Sequence, residues 1–252
     1  MIDARKGNTG GRRQHLLVAA LLAFAALFVA LGVWQVKRLA WKEALIARVN
    51  AGIHAAPVPA QSLSPTLPAQ QIKDMEYRRL SLHGQWLAGD TVLTLGPSSI
   101  GTGYWVLTPL RQDNGMVFYV NRGFVPMGTK RDDVVAATPA GPADVVGLLR
   151  VSEPKGGLLQ PNVPAQDRWY SRDIAAMAAR SHLTARTAWF IDAQTDVPLT
   201  RQEIDAAALA KRPVAGLTVI DFPNNHLSYA ITWFSLALLS LGCIYVVRRF
   251  RA

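Results

Sequence analysis

Asn224-Asn225-His226 stands directly before a long apolar run. If that run is helical, His226, Tyr229, Ala230 and Trp233 fall at i, i+3, i+4 and i+7 and share one face. A neutral imidazole at a membrane surface can ligate a metal or a haem iron. The aromatic and small residues below it could hold a flat hydrophobic macrocycle. The same residues also have a plain structural use: Asn225 caps the helix, Tyr229 and Trp233 belong to an aromatic belt, and His226 rests among headgroups. Arg38 is equally two-sided. With Lys37 and Lys42 it can bind lipid phosphates beside the belt residues Trp34 and Trp41, or it can meet the carboxylates of a partner or an anionic ligand. Arg122, within Val120-Asn121-Arg122-Gly123-Phe124-Val125-Pro126, is either a ligand-facing cation or half of a surface ion pair at a strand end.

Other chemistry is hard to find. Gly96-Pro97-Ser98-Ser99-Ile100-Gly101 misses the spacing of a nucleophile elbow. Gly101-Thr102-Gly103 lacks the third glycine and the βαβ context of a dinucleotide loop. No Walker A loop or H-E-x-x-H is present, and His15, His54, His83, His182 and His226 are far apart in sequence. No catalytic constellation remains, so the chain is not expected to be an enzyme. The single cysteine, Cys243, allows no intrachain disulfide, and no C-x-x-C exists for redox or metal work.

Two apolar blocks must position these residues. Leu16 to Trp34 is free of charge and, at about 1.5 Å per residue, spans roughly 28 Å, close to a bilayer core. Ala23-Phe24-Ala25 has the form of a signal-peptidase site, but the apolar run continues past it, so a retained helix is expected. Leu227 to Val247 is the second span, its hydroxyl residues able to bond back to helical carbonyls. The net charge of +10 sits largely at the ends: +3 before the first span, +3 after the second, and only +4 from Gln35 to His226. Nucleic acid is therefore not an expected partner; membrane lipid is. Arg248, Arg249 and Arg251 follow the second span and no basic residue lies between Pro213 and His226, so both termini are expected in the cytoplasm. The expected division is a tail at 1–15, spans at 16–34 and 227–247, an extracytoplasmic domain at 35–226 and a tail at 248–252.

The middle domain opens with a helix continuing from the membrane over Gln35 to Asn50. A proline-rich linker or extended segment follows from Gly52 to Gln71. The pattern then changes to period two. Strands are expected from Tyr77 to Trp86, Thr91 to Leu95, Tyr104 to Leu110, Met116 to Val120, Asp144 to Arg150 and Thr187 to Ile191. Gly89-Asp90, Gly101-Thr102-Gly103 and Asp113-Asn114-Gly115 read as turns, the last as a hairpin. Asp173 to Ser181 reads as a helix, and Thr200-x-x-Glu203 as a capping box. The fold class is membrane α+β: two terminal transmembrane helices flanking one antiparallel, barrel-like extracytoplasmic domain with a few helices.

In this order the motifs resemble the Surfeit locus protein 1 family, which assists assembly of cytochrome c oxidase. The matching pieces are Leu31-Gly32-Val33-Trp34-Gln35-Val36-Lys37-Arg38 with Trp41-Lys42, Tyr77-Arg78 with Gly84 and Trp86, Gly103 to Leu110, Val120 to Pro126, and Asn224 to Phe234. The resemblance implies a haem-binding assembly factor in the bacterial inner membrane, with a periplasmic domain. It implies haem a as cofactor, delivered to subunit I of the oxidase, with haem a synthase as a second candidate partner. It maps the iron ligand onto His226, with Tyr229 and Trp233 beside it. Arg38 and Arg122 become candidates for the propionates, because guanidinium pairs well with carboxylate.

Overall fold

The computed structural model describes residues 9–154, 160–195, 199–218 and 222–250. The chain divides into two compact units, one formed by Met1–Arg48 and Asp221–Ala252, the other by Val49–Ile220.

The first unit is a helix pair. Helix α1 runs over Thr9–His54, its last turns belonging to the second unit. At about 1.5 Å per residue it is far longer than a bilayer core. The expected helix from Gln35 onward is thus the same helix, uninterrupted. The matching C-terminal helix covers His226–Arg249. Both helices are long and apolar enough to cross a membrane. Small residues let them approach: Ala25, Ala230, Ala237 and Ser240 are buried, and Gly32 lies under Phe234. Phe28 stacks on Trp233, ring centroids 5.7 Å apart. Leucines 16, 22, 27, 227, 238 and 239 remain exposed, an apolar surface for which water is a poor solvent.

In the second unit the elements run β1 (Val58–Pro59), α2 (Ala69–Asp74), β2 (Arg79–Trp86), β3 (Val92–Ser98), β4 (Gly101–Arg111), β5 (Val117–Pro126), α3 (Arg131–Ala136), β6 (Pro142–Val151), α4 (Ile174–Arg180), β7 (Ala185–Ala193) and α5 (Arg201–Leu209), which precede the C-terminal helix α6. Five strands form a ring in the order β2-β6-β7-β5-β4, closed by a second edge between β2 and β4. This is the kind of five-stranded Greek-key barrel found in OB-folds. β3 is appended to β4 and β1 to β2. Every ring strand sends side chains inward, among them Leu80, Leu110, Phe118, Val120, Leu149 and Ile191. A second core lies outside, where Ile174 and Met177 of α4 cover Leu107, Tyr119 and Phe190.

The expected barrel of short strands is present, with corrections. The sheet is not wholly antiparallel: β5 and β7 pair in parallel, as do β1 and β2. A closed ring of five strands cannot alternate direction all the way round, so one parallel pair is unavoidable. Of the two readings of the proline-rich stretch the extended one fits in part: Val58–Pro59 is strand β1, Ala60 joins the barrel core, and Leu63 and Leu67 pack against it. Gly101-Thr102-Gly103 is not a turn but the start of β4; the turn sits at residues 99–100, and Gly103 lets β4 pass the Val125 carbonyl. Tyr77 lies before β2, at φ 69. β5 extends beyond Val120 because β4 pairs with it as far as Pro126. The hairpin at Asp113-Asn114-Gly115 and the capping box of Thr200 and Glu203 are both present.

Gly84 explains how the ring closes. A Cβ there would run into the Arg111 carbonyl and come within 2.5 Å of Leu110 Cδ2, where β2 meets β4. Gly84→Glu is therefore expected to destabilise the barrel by about 3 kcal/mol or more. Gly89→Glu, with nothing within 4 Å of its Cβ, is the control. Equal melting temperatures for the two full-length variants would refute this account.

Candidate functional site

His226 is the first residue of α6. Its backbone N–H bonds to Asn224 Oδ1 at 3.4 Å, while Asn225, expected to cap the helix, makes no capping bond with its side chain. Asn224 therefore performs the task assigned to Asn225. The imidazole is held from α1: its Nδ1 lies 2.7 Å from Gln35 Oε1. An amide oxygen only accepts, so Nδ1 carries the proton and donates it. In the neutral ring Nε2 keeps its lone pair, the form in which an imidazole binds a metal.

The expected stripe on α6 separates. Ala230 is buried, and Trp233 is partly buried with its ring packed on Phe28 of α1. Tyr229 lies on the flank of this face and is 56% exposed. One turn beyond Gln35, Arg38 is exposed, its guanidinium 4.0 Å from the Trp41 ring centroid. Lys42 places its ammonium 5.2 Å from the Phe222 ring centroid. Among the described residues, Arg38 and His226 have no carboxylate partner, and no three His, Cys, Asp or Glu side chains converge as a metal cage. One imidazole with a free nitrogen suits a macrocycle that brings its own equatorial ligands better than it suits a bare ion.

Arg122 belongs to the other unit. Between Trp105/Phe124 and Leu107/Asn121 the register of β4 and β5 shifts, and β5 carries the extra residue, so Arg122 and Gly123 form a bulge. Gly123 has φ 122, and a Cβ on it would strike the Val214 backbone. The Arg122 guanidinium donates to Thr138 Oγ1 at 2.6 Å and lies 5.1 Å from the Trp86 ring centroid. It is not half of a surface ion pair: among the described residues no carboxylate meets it, and burial lowers its pKa to about 10. Uncompensated buried cations are uncommon away from functional sites.

Sequence reasoning missed two features. Gln35 was part of a quoted motif but had no role; its signal was an amide at the end of an apolar run, facing a histidine-led helix. The second is a cleft of about 540 Å³ beside β3 and β6, lined by Trp105, Arg150, Glu153, Tyr170, Arg172 and Thr218. Its charges pair internally. Burial opposes ionisation of Glu153, but Arg172 donates to both its oxygens and holds it below the usual carboxylate range. Burial pushes the Asp192 carboxyl up, against bonds from Thr218 and Asn121 and the charge of Arg150. Such a network braces the strands that carry it.

The free Arg122 cation has a measurable cost. A base whose pKa is lowered on folding destabilises the fold at neutral pH, and this cost fades only as pH rises above about 10. Arg122→Met is thus expected to raise the melting temperature by about 2–4 °C at pH 7, equivalent to about 1 kcal/mol. A lowered value would mean that the Trp86 stack and Thr138 bond outweigh the buried charge.

Comparison with known proteins identifies the family. The family model of the SURF1 family matches residues 22–238. The chain is 30% identical over 256 residues to Surfeit locus protein 1 of Homo sapiens, covering 93% of this chain and 78% of that protein. It is 32% identical over 245 residues to a SURF1-like protein of Monosiga brevicollis, covering 91% and 87%. Surfeit locus protein 1 of Rattus norvegicus is 30% identical over 235 residues, covering 86% and 70%. The match takes in both the Gln35 and the His226 segments, and the chain belongs to the SURF1 family.

Proposed function

We propose that this chain is a membrane-anchored assembly factor that holds haem a as cargo and passes it to subunit I of cytochrome c oxidase. The observation that carries the reading is the His226 imidazole, held through Nδ1 by Gln35 so that Nε2 is left for a ligand. His226 would hold the haem through Nε2, the iron supplying a Lewis acid for that nitrogen. Arg38, in the same unit as His226 and without a carboxylate partner among the described residues, is the cation proposed for a propionate. Tyr229 and Trp233 are proposed to flank the macrocycle, Trp233 through the ring edge left by its stack on Phe28.

The two apolar helices support anchoring in a bacterial inner membrane. The basic residues after α6 support a cytoplasmic location for both termini, and with it a periplasmic β-barrel unit. Haem a synthase is the proposed source of the cargo. The protein breaks and makes no bond in it, so we read it as a carrier and not an enzyme. A scaffold without haem is the competing reading, favoured by the Arg122 guanidinium, which suits a carboxylate of a protein partner equally well.

Absorption spectra separate the two. Full-length protein purified in detergent from cells making haem a is expected to show a Soret band that His226→Ala loses or shifts while melting normally. Absence of that band in well-folded wild type would select the scaffold.

A further inference from the structure

His226 is held by a neutral group, although many imidazole ligands donate their second N–H to a carboxylate, which raises their basicity and strengthens the metal bond. Here the acceptor is the amide oxygen of Gln35, only 8% exposed and 2.7 Å from Nδ1. The one acidic residue among the described residues of the helix pair is Glu43, more than two helical turns along α1 from Gln35. The arrangement fixes the tautomer and ring direction as a carboxylate would, yet lends no negative charge.

We propose that Gln35 is a positioning residue that tunes His226 for release. It orients Nε2 for coordination and keeps the ligand a moderate donor, so that the cargo is held long enough to be carried and weakly enough to be given up. A resident cofactor gains from the strongest available ligand; a cargo does not. This inference rests on the haem reading above.

The test uses full-length wild type, Gln35→Glu and Gln35→Leu in detergent at pH 8, loaded with ferric protoporphyrin IX. Three quantities are read: affinity from the Soret band, the rate of transfer to apomyoglobin, and the reduction potential of the bound iron. Gln35→Glu should bind roughly tenfold tighter, transfer roughly tenfold more slowly and shift the potential negative. Gln35→Leu should bind roughly tenfold more weakly. A purely structural link between the helices would leave affinity, transfer and potential of Gln35→Glu at wild-type values, and that result overturns the proposal. Should Gln35→Leu melt early, the Glu variant decides alone. Failure of the underlying reading looks different: wild type itself would then show no Soret band dependent on His226, which overturns both.

Discussion

The barrel unit depends on a short seam. Strands β2 and β4 share only two residue pairs, Gln85 with Arg111 and Trp86 with Leu110, yet these turn an open sheet into a ring. Without them the ends of β2 and β4 beyond their pairings with β1 and β3 would be left unpaired, and the inward residues of five strands would lose a wall. The seam is possible because Gly84 presents no Cβ to the Arg111 carbonyl. It also dictates direction, since an odd ring must contain a parallel pair. That pair brings Asn121 of β5 beside Asp192 of β7, where Arg150 and Thr218 complete a buried polar cluster. Closure and the charge network are thus one constraint seen from two sides.

The molecule treats its charges in two ways. In the cleft beside β3, each buried cation meets its carboxylate inside the unit, and the cluster braces the strands that carry it. At the β5 bulge, Arg122 has an aromatic ring and a hydroxyl but no acid among the described residues. The first arrangement is complete; the second still lacks its counter-charge. In the helix pair, the His226 imidazole meets an amide oxygen and no carboxylate among the described residues.

Much of this was legible in the residues. Both apolar blocks announced themselves by length, and α1 and α6 contain them. Asn114-Gly115 named its hairpin, and Thr200 with Glu203 named its capping box. Alternation found the ring strands, because each buries one face. What failed was whatever tertiary contact decides. The glycines at 101 and 103 look like a turn in isolation, but a strand crossing close to its neighbour needs them as much. Prolines from residue 57 to 68 look like a linker or an extended segment, and only packing decides: Ala60 joins the barrel core, with Leu63 and Leu67 against it. Asn224 and Asn225 are chemically identical, so only backbone geometry chooses which one meets the His226 N–H. Gln35 and His226 are almost the full chain apart, and no local pattern joins them.

The parallel pair of β5 and β7 also sets a timetable. As the chain emerges from the ribosome, β2 to β6 can form hairpins and neighbours, but β5 and β6 have no bridge until β7 arrives between them. Pairings between distant segments form late and slowly. Until then the nascent domain carries two raw sheet edges, the state in which chains stick to one another. Only α5 and the run into α6 remain to be made after β7. The ring therefore completes shortly before the final helix appears, and the window of vulnerability to aggregation covers nearly the whole synthesis of the domain.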